Sequence, residues 1–315
     1  MRSAKYRIGL ICYSTQTNSI ASMIQSSDCE VVLIQMVRKE REPNHWKRIR
    51  KVFSQLTKID ILYYGYGCTK VDIYLKLAKL LRRPVVSHWI GSDVLSAQED
   101  PSSTRSAQPY ISVNLAGSPR LKDELKAIGI DAKELPILPK RMDTPLGVPP
   151  HKHAAMAYLP KGREDFYGMN YFHHAAQVYP DVMFYVIKND DDSLNLPNVK
   201  FLGLLSASEM DDLYMRTSIV IRLPQHDGLS LMLLEGLLRG KEVIYCYDFP
   251  GVRQVSTMND FDQTMADIMS MPPRANIVGR EWVLRNYDPE ITRAELHATF
   301  ASLLHEVAPE SRSVD

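Results

Sequence analysis

SIVIRLPQHDGLSLMLLEGLLRGKEVIYCY, residues 218 to 247, decides the fold. SIVIR is a short β-branched run and reads as a strand. QHDGLS is a turn, with Gly228 free to take unusual dihedrals or to let another backbone come close. Ser230 stands where a helix cap would stand, and Gly240 follows the last turn. The helix between them is apolar on most faces, so it is buried. EVIYCY is a second strand. A strand, a helix and a strand in succession form the unit that builds parallel sheets.

The same alternation runs through the chain. Before residue 118 the strand-like runs are YRIGLICYS, CEVVLIQMV, IDILYYGYG, PVVSHWI and PYISVNLAG. Between and after them come helical patterns such as VDIYLKLAKLLRR, and SPRLKDELKAIG with its Ser118 cap and Pro119 at the first helical position. Five prolines between 136 and 150 then break the pattern. After them it restarts with AAMAYLP, MFYVIK, VKFLG and the quoted unit. The chain is therefore expected to be α/β with two Rossmann-like domains: residues 1–140, a Pro-rich linker at 141–152, a second domain at 153–285, and a C-terminal helix at 286–315 able to cross back to the first. Two such sheets face each other across a cleft, and ligands of open parallel sheets sit beyond the carboxyl ends of the strands.

With 315 residues, 45% of them hydrophobic, the chain can bury two cores, and a formal net charge of +1 gives no global field that would select nucleic acid. The cysteines at 12, 29, 68 and 246 form no C-x-x-C pair, so neither a zinc site nor a disulfide framework is expected, which suits a cytoplasmic protein. IGLIC near the N-terminus is too short for a signal-peptide core.

Glu235 is a carboxylate inside the apolar helix. A buried, unpaired carboxylate costs several kcal/mol, so it needs donors. The paired hydroxyls of a sugar would serve, and the free amides of the turn at the helix start would suit a diphosphate. The plain alternative is a surface pair with Arg239, four residues on.

D-G-L-S-L-M-L-L-E followed by G-L-L-R-G-K-E-V-I resembles the signature of retaining GT-B glycosyltransferases of the family 4-like group. NVKFLGLLSASEMDDLYMRTSIVIRLP, SPRLKDELKAIGIDAKELPILP and HWIGSDVL resemble other segments of that group in the same order. The resemblance covers about 84–255, and the first 83 residues only as a fold. It implies that Glu235 holds the ribose hydroxyls of a nucleoside diphosphate sugar and that Asp227 meets the transferred sugar. Gly228, Leu229 and Ser230 would bring amides to the sugar and the diphosphate. This chain has Asp at 227 where the group usually has Glu, a carboxylate about one methylene shorter.

Lys161 and Arg163 lie in the loop after AAMAYLP. A basic pair from the corresponding loop neutralises the diphosphate in GT-B enzymes, and fixed cations there would stabilise charge developing on the leaving group. A solvated loop is the alternative for both. His88 ends PVVSHWI and is expected either at the cleft, bonded to a sugar hydroxyl or the acceptor, or as a packed histidine; Asp93 is expected to order its loop. Ser14, Thr15 and Gln16 stand where the group has a glycine-rich turn, GYG at 65–67 reads as a turn, and the acidic run 190–192 reads as solvated charge. No metal and no cofactor beyond the donor substrate is expected.

Residues 38–58 carry eight basic residues against two glutamates, a local balance of +6. Trp46, Ile49, Phe53 and Leu56 recur at helical spacing and form one apolar stripe. The stripe is expected to pack on the sheet, while the basic flank could meet the anionic inner face of a membrane near a glycan or lipid-linked acceptor. The reading is thus a metal-independent, retaining glycosyltransferase of cell-surface glycan or glycolipid synthesis. The alternatives are a nucleotide-sugar epimerase and a non-catalytic subunit of the same fold that binds a sugar or a partner.

Overall fold

The computed structural model describes residues 6–12, 16–37, 40, 42–191, 194 and 196–307. Ser14, Thr15 and Asp192 lie outside the described residues, as do 38, 39 and 41 of the basic stretch. The chain divides into two compact units, the first from Met1–Lys140 with Asp288–Asp315 and the second from Arg141–Tyr287.

In the first unit the apolar runs become strands β1 (Tyr6–Ile11), β2 (Cys29–Leu33), β3 (Ile61–Tyr64), β4 (Val85–Trp89), β5 (Val113–Ala116) and β6 (Lys133–Glu134). They form one parallel sheet in the order β2-β1-β3-β4-β5-β6. All residues of β3 and β4 are buried, as expected where helices cover both faces. The helix Ile73–Leu80 opens on Asp72, which accepts from Leu75 N at 2.8 Å, and Pro119–Ala127 opens on Ser118 as its spacing predicts. The long helix Pro289–Val307 belongs to this unit; Phe300 meets Tyr63 edge-on with ring centroids 6.2 Å apart.

Among the described residues of the basic stretch a helix runs from His45 to Leu56, and Asn44 caps it, accepting from Lys47 N at 3.0 Å. Its apolar stripe differs from the expected one. Val52 and Leu56 are fully buried, whereas Trp46 is 76% and Phe53 42% exposed. Only residues stacked one turn apart on the inward face reach the sheet, and Trp46 stands in the opening turn, outside that face.

The second unit holds β7 (Ala154–Tyr158), β8 (Met183–Ile187), β9 (Val199–Phe201), β10 (Ile219–Arg222), β11 (Glu242–Tyr245) and β12 (Arg253–Gln254), parallel throughout, in the order β12-β11-β10-β7-β8-β9. From β7 the strands run outward one way, and from β10 the other. The order therefore reverses between β7 and β10, paired as Val220 with Met156 and Ile221 with Ala157. In open parallel sheets such a reversal leaves a crevice at the strands' carboxyl ends. The helix Leu231–Leu238 is buried at six of its eight residues. Residues 141–150 run along this unit, and Gly147 N donates to Arg239 O at 3.3 Å. The two-residue strands β6 and β12 escape a sequence reading, since so short a run carries no period.

Candidate functional site

Two segments flank the reversal between β7 and β10: the loop 159–168 after β7 and the turn 223–230 after β10. Gln225 N donates to Phe166 O at 2.8 Å, which ties one to the other. Gly168 has a φ of +86°, and a Cβ there would lie 2.6 Å from Leu223 O, so this join needs a glycine. Both segments thus stand at the crevice that strand order predicts.

Glu235 lies one turn into the helix Leu231–Leu238. Its Oε2 accepts from Tyr214 OH at 3.1 Å, and its Oε1 takes no hydrogen bond from the described residues. Burial pushes its carboxyl above the usual range, with Arg239 opposing the shift. The expected surface pair takes another form. The Arg239 Nη1 donates to the main-chain oxygen of Glu235 at 3.2 Å, its Nη2 pairs with Asp211, and its guanidinium lies 4.4 Å from the Tyr214 ring centroid. Burial, and then the carboxylate of Glu235, hold the Tyr214 hydroxyl well above its ordinary value, so it remains a donor.

Asp227 is 8% exposed and is held by Arg222, Nε to Oδ2 at 2.8 Å and Nη2 to Oδ1 at 2.9 Å. Gly228 N adds a bond to Oδ1 at 3.2 Å, and Tyr245 OH donates to Gly228 O at 3.0 Å. Leu229 and Ser230 are buried. Ser230 stands at the cap position, but its side chain makes no capping bond, so the hydroxyl leaves the first amides of the helix open.

Lys161 is 60% exposed at its side chain and pairs with Asp190 at 3.4 Å and Asp191 at 3.7 Å. Arg163 pairs with no carboxylate among the described residues; its guanidinium lies 4.5 Å from the Phe166 centroid and 5.4 Å from that of Tyr167. Arg222 approaches Tyr167 too, at 4.9 Å, and Tyr158 at 5.5 Å. Burial opposes the charge of Arg222, but Asp227 outweighs it and keeps the guanidinium charged. The sequence reading passed over Arg222, Tyr158, Tyr167 and Tyr214. A signal existed for Arg222: a guanidinium ending the otherwise apolar run SIVIR requires a counter-charge.

His88 belongs to the first unit. It is 0% exposed, its Nε2 donates to Leu135 O at 2.8 Å, and its Nδ1 accepts from Tyr63 OH at 2.5 Å. Burial pushes its pKa down to about 4 despite the bond to Leu135, so the ring is neutral. Both nitrogens are engaged within the first unit, the setting that the packed alternative describes. Asp93, also 0% exposed, accepts from the amides of Gly67, Ile90, Gly91 and Val94 and so joins the loops after β3 and β4. Among the described residues no group of three His, Cys, Asp or Glu side chains could hold a metal ion, and no helix is long and apolar enough to cross a membrane.

No family model matches the chain, and no curated protein matches it significantly. Solved structures do. HepE from Anabaena, crystallised in complex with UDP and glucose, is 13% identical with a TM-score of 0.71, over 95% of this chain and 100% of that one. Sucrose-phosphate synthase from Thermosynechococcus elongatus is 11% identical with a TM-score of 0.72, over 96% and 100%. A Listeria monocytogenes protein described as a UDP-N-acetylglucosamine 2-epimerase is 10% identical with a TM-score of 0.58, over 96% and 98%. At such identities the likeness shows the fold: the chain is an α/β protein with two parallel six-stranded sheets of the GT-B type.

Proposed function

We propose that the chain is a GT-B glycosyltransferase that moves a sugar from a nucleoside diphosphate sugar to an acceptor, with retention and without a metal ion. The observation that carries the reading is Glu235: a carboxylate in a buried helix, with one oxygen given no donor, just beyond the sheet's point of reversal. Ribose hydroxyls would replace solvent at that oxygen. The open amides after Gly228 and the guanidinium of Arg163 suit the diphosphate, whose charge grows as the glycosidic bond breaks. Lys161 would join only by leaving Asp190 and Asp191. Catalysis would rest on positioning and charge stabilisation, the leaving phosphate helping to take the acceptor's proton on the same face.

The UDP and glucose in HepE support this choice of ligand. The family 4-like grouping rests on the sequence motif. A glycan or lipid-linked acceptor, a role at the cell surface and a cytoplasmic place beside the inner membrane face are part of the proposal; the exposed Trp46, Phe53, Lys47, Arg50 and Lys51 support the last. The test is a thermal-shift panel of nucleoside diphosphates and their sugars, since a ligand at 100 times its Kd adds about 2.7 kcal/mol of stability. No stabilisation by any of them would refute the reading. Release of free nucleoside diphosphate with an unepimerised sugar supports a transferase, and a 2-epimer, whether free or still on the nucleotide, supports the epimerase reading.

A further inference from the structure

The sequence motif points to Asp227 as a contact of the sugar. The geometry points elsewhere: we infer that Arg222 is an anion-binding residue of the donor site, taking a phosphoryl oxygen through Nη1, and that Asp227 is the residue that positions it. This rests on the reading that the site takes a nucleoside diphosphate.

Three observations carry the inference. First, Arg222 is 9% exposed, yet Nη1 makes no hydrogen bond to any described residue, while Nε and Nη2 are both bonded to Asp227. A guanidinium has five N–H donors in a rigid fork, so pairing one edge with a carboxylate leaves the other edge aimed in a fixed direction. Second, Arg222 is the last residue of β10, at the carboxyl edge beside the reversal of strand order. Third, Asp227 collects both Arg222 and the amide of Gly228, so the guanidinium stands against the turn whose next amides open the buried helix.

The aromatic setting fits the same role. Tyr167 has the Arg222 guanidinium 4.9 Å from its centroid and that of Arg163 5.4 Å from it. Two cations near one ring would repel each other, and an anion lying by both would relieve that repulsion. Asp227 neutralises Arg222 and, with both oxygens engaged, has little capacity left for sugar hydroxyls.

Titration calorimetry with UDP, ADP and GDP, and with the corresponding nucleosides, tests the inference on the whole chain. Arg222→Gln alone would leave Asp227 buried without its partner and could unfold the protein. The pair Arg222→Gln with Asp227→Asn keeps a hydrogen-bonded neutral pair in its place, and Asp227→Asn alone keeps the cation. The nucleotide that binds wild type should bind the double variant about ten- to hundredfold more weakly, a charge-assisted bond having been lost. Asp227→Asn, which keeps the cation but loosens its hold, should bind it more weakly than wild type and more tightly than the double variant, and nucleoside affinity should be the same in all three. Equal nucleotide affinity in wild type and the double variant overturns the role of Arg222, as does a loss in Asp227→Asn that matches the double variant. If wild type binds none of the nucleotides, the proposed function itself falls and this inference falls with it. Folding of each variant is read from the two-state unfolding of the unliganded protein.

Discussion

Glu235→Gln separates function from stability at the centre of the site. The amide oxygen of glutamine still accepts from Tyr214 OH, which now bonds Oε2 at 3.1 Å, and Arg239 keeps its bonds to Asp211 and to the main-chain oxygen. The charge disappears, and the second acceptor oxygen becomes an amide donor. Hydrogen bonds to a charged group contribute about 1.5–3 kcal/mol each, against about 1 for a neutral one. Two ribose hydroxyls on the carboxylate would therefore lose about 1–4 kcal/mol together, a fall in affinity of about five- to 700-fold. Stability should hold or rise by up to about 1 kcal/mol, because the native state no longer shelters a buried charge. The sign can be checked by pH. The folded carboxyl titrates above its ordinary value of 4.5, so its contribution to stability is full below that value and is lost as pH rises through the folded pKa. Glutamine lacks this dependence, so the variant should gain on wild type as pH rises above about 4.5. Titration calorimetry and urea unfolding read the two effects. Unchanged nucleotide affinity would refute the ribose role, and a loss of more than about 2 kcal/mol of stability would make Glu235 structural. Glu235→Ala is the poorer probe, since the buried Tyr214 hydroxyl would lose its acceptor at a cost of about 1–3 kcal/mol.

His88 should make the fold acid-sensitive: its pKa is depressed from 6.5 to about 4, so stability present above pH 6.5 should fall as pH drops towards 4, by on the order of 3 kcal/mol. A stability profile as flat in that window for wild type as for His88→Gln would refute this. Turnover should survive EDTA; loss of activity restored by magnesium or manganese would reverse the metal-free proposal. Wild type should sediment with anionic vesicles at low salt and release as salt rises, each basic side chain near the surface contributing about 1 kcal/mol. Changing Lys47, Arg48, Arg50 and Lys51 to Gln should abolish this while sparing nucleotide affinity, and indifference of wild type to the vesicles would leave the helix His45–Leu56 as a charged outer face.

The sequence by itself determined the class of fold, because strand and helix periods are local and the chain alternates them throughout. SIVIR, LSLMLLEGLL and EVIY become strand, buried helix and parallel strand close to where their patterns place them. It also exposed Glu235, since a carboxylate in an apolar helix stands out without any coordinates. Tertiary structure alone decided the partners. Arg222 and Asp227 are near in sequence, but their bidentate pair depends on how the turn folds back over the end of β10. His88 reads either as a cleft residue or as a packed one, and only the fold shows that β3 and the chain after β6 bring Tyr63 and Leu135 against its two nitrogens. Tyr214 reaches Glu235 from 21 residues away. The reversal between β7 and β10, which sets where a ligand can lie, is a matter of strand order. Periodicity says which residues face inward; what they face is set by contacts between segments distant along the chain, and no local pattern records those.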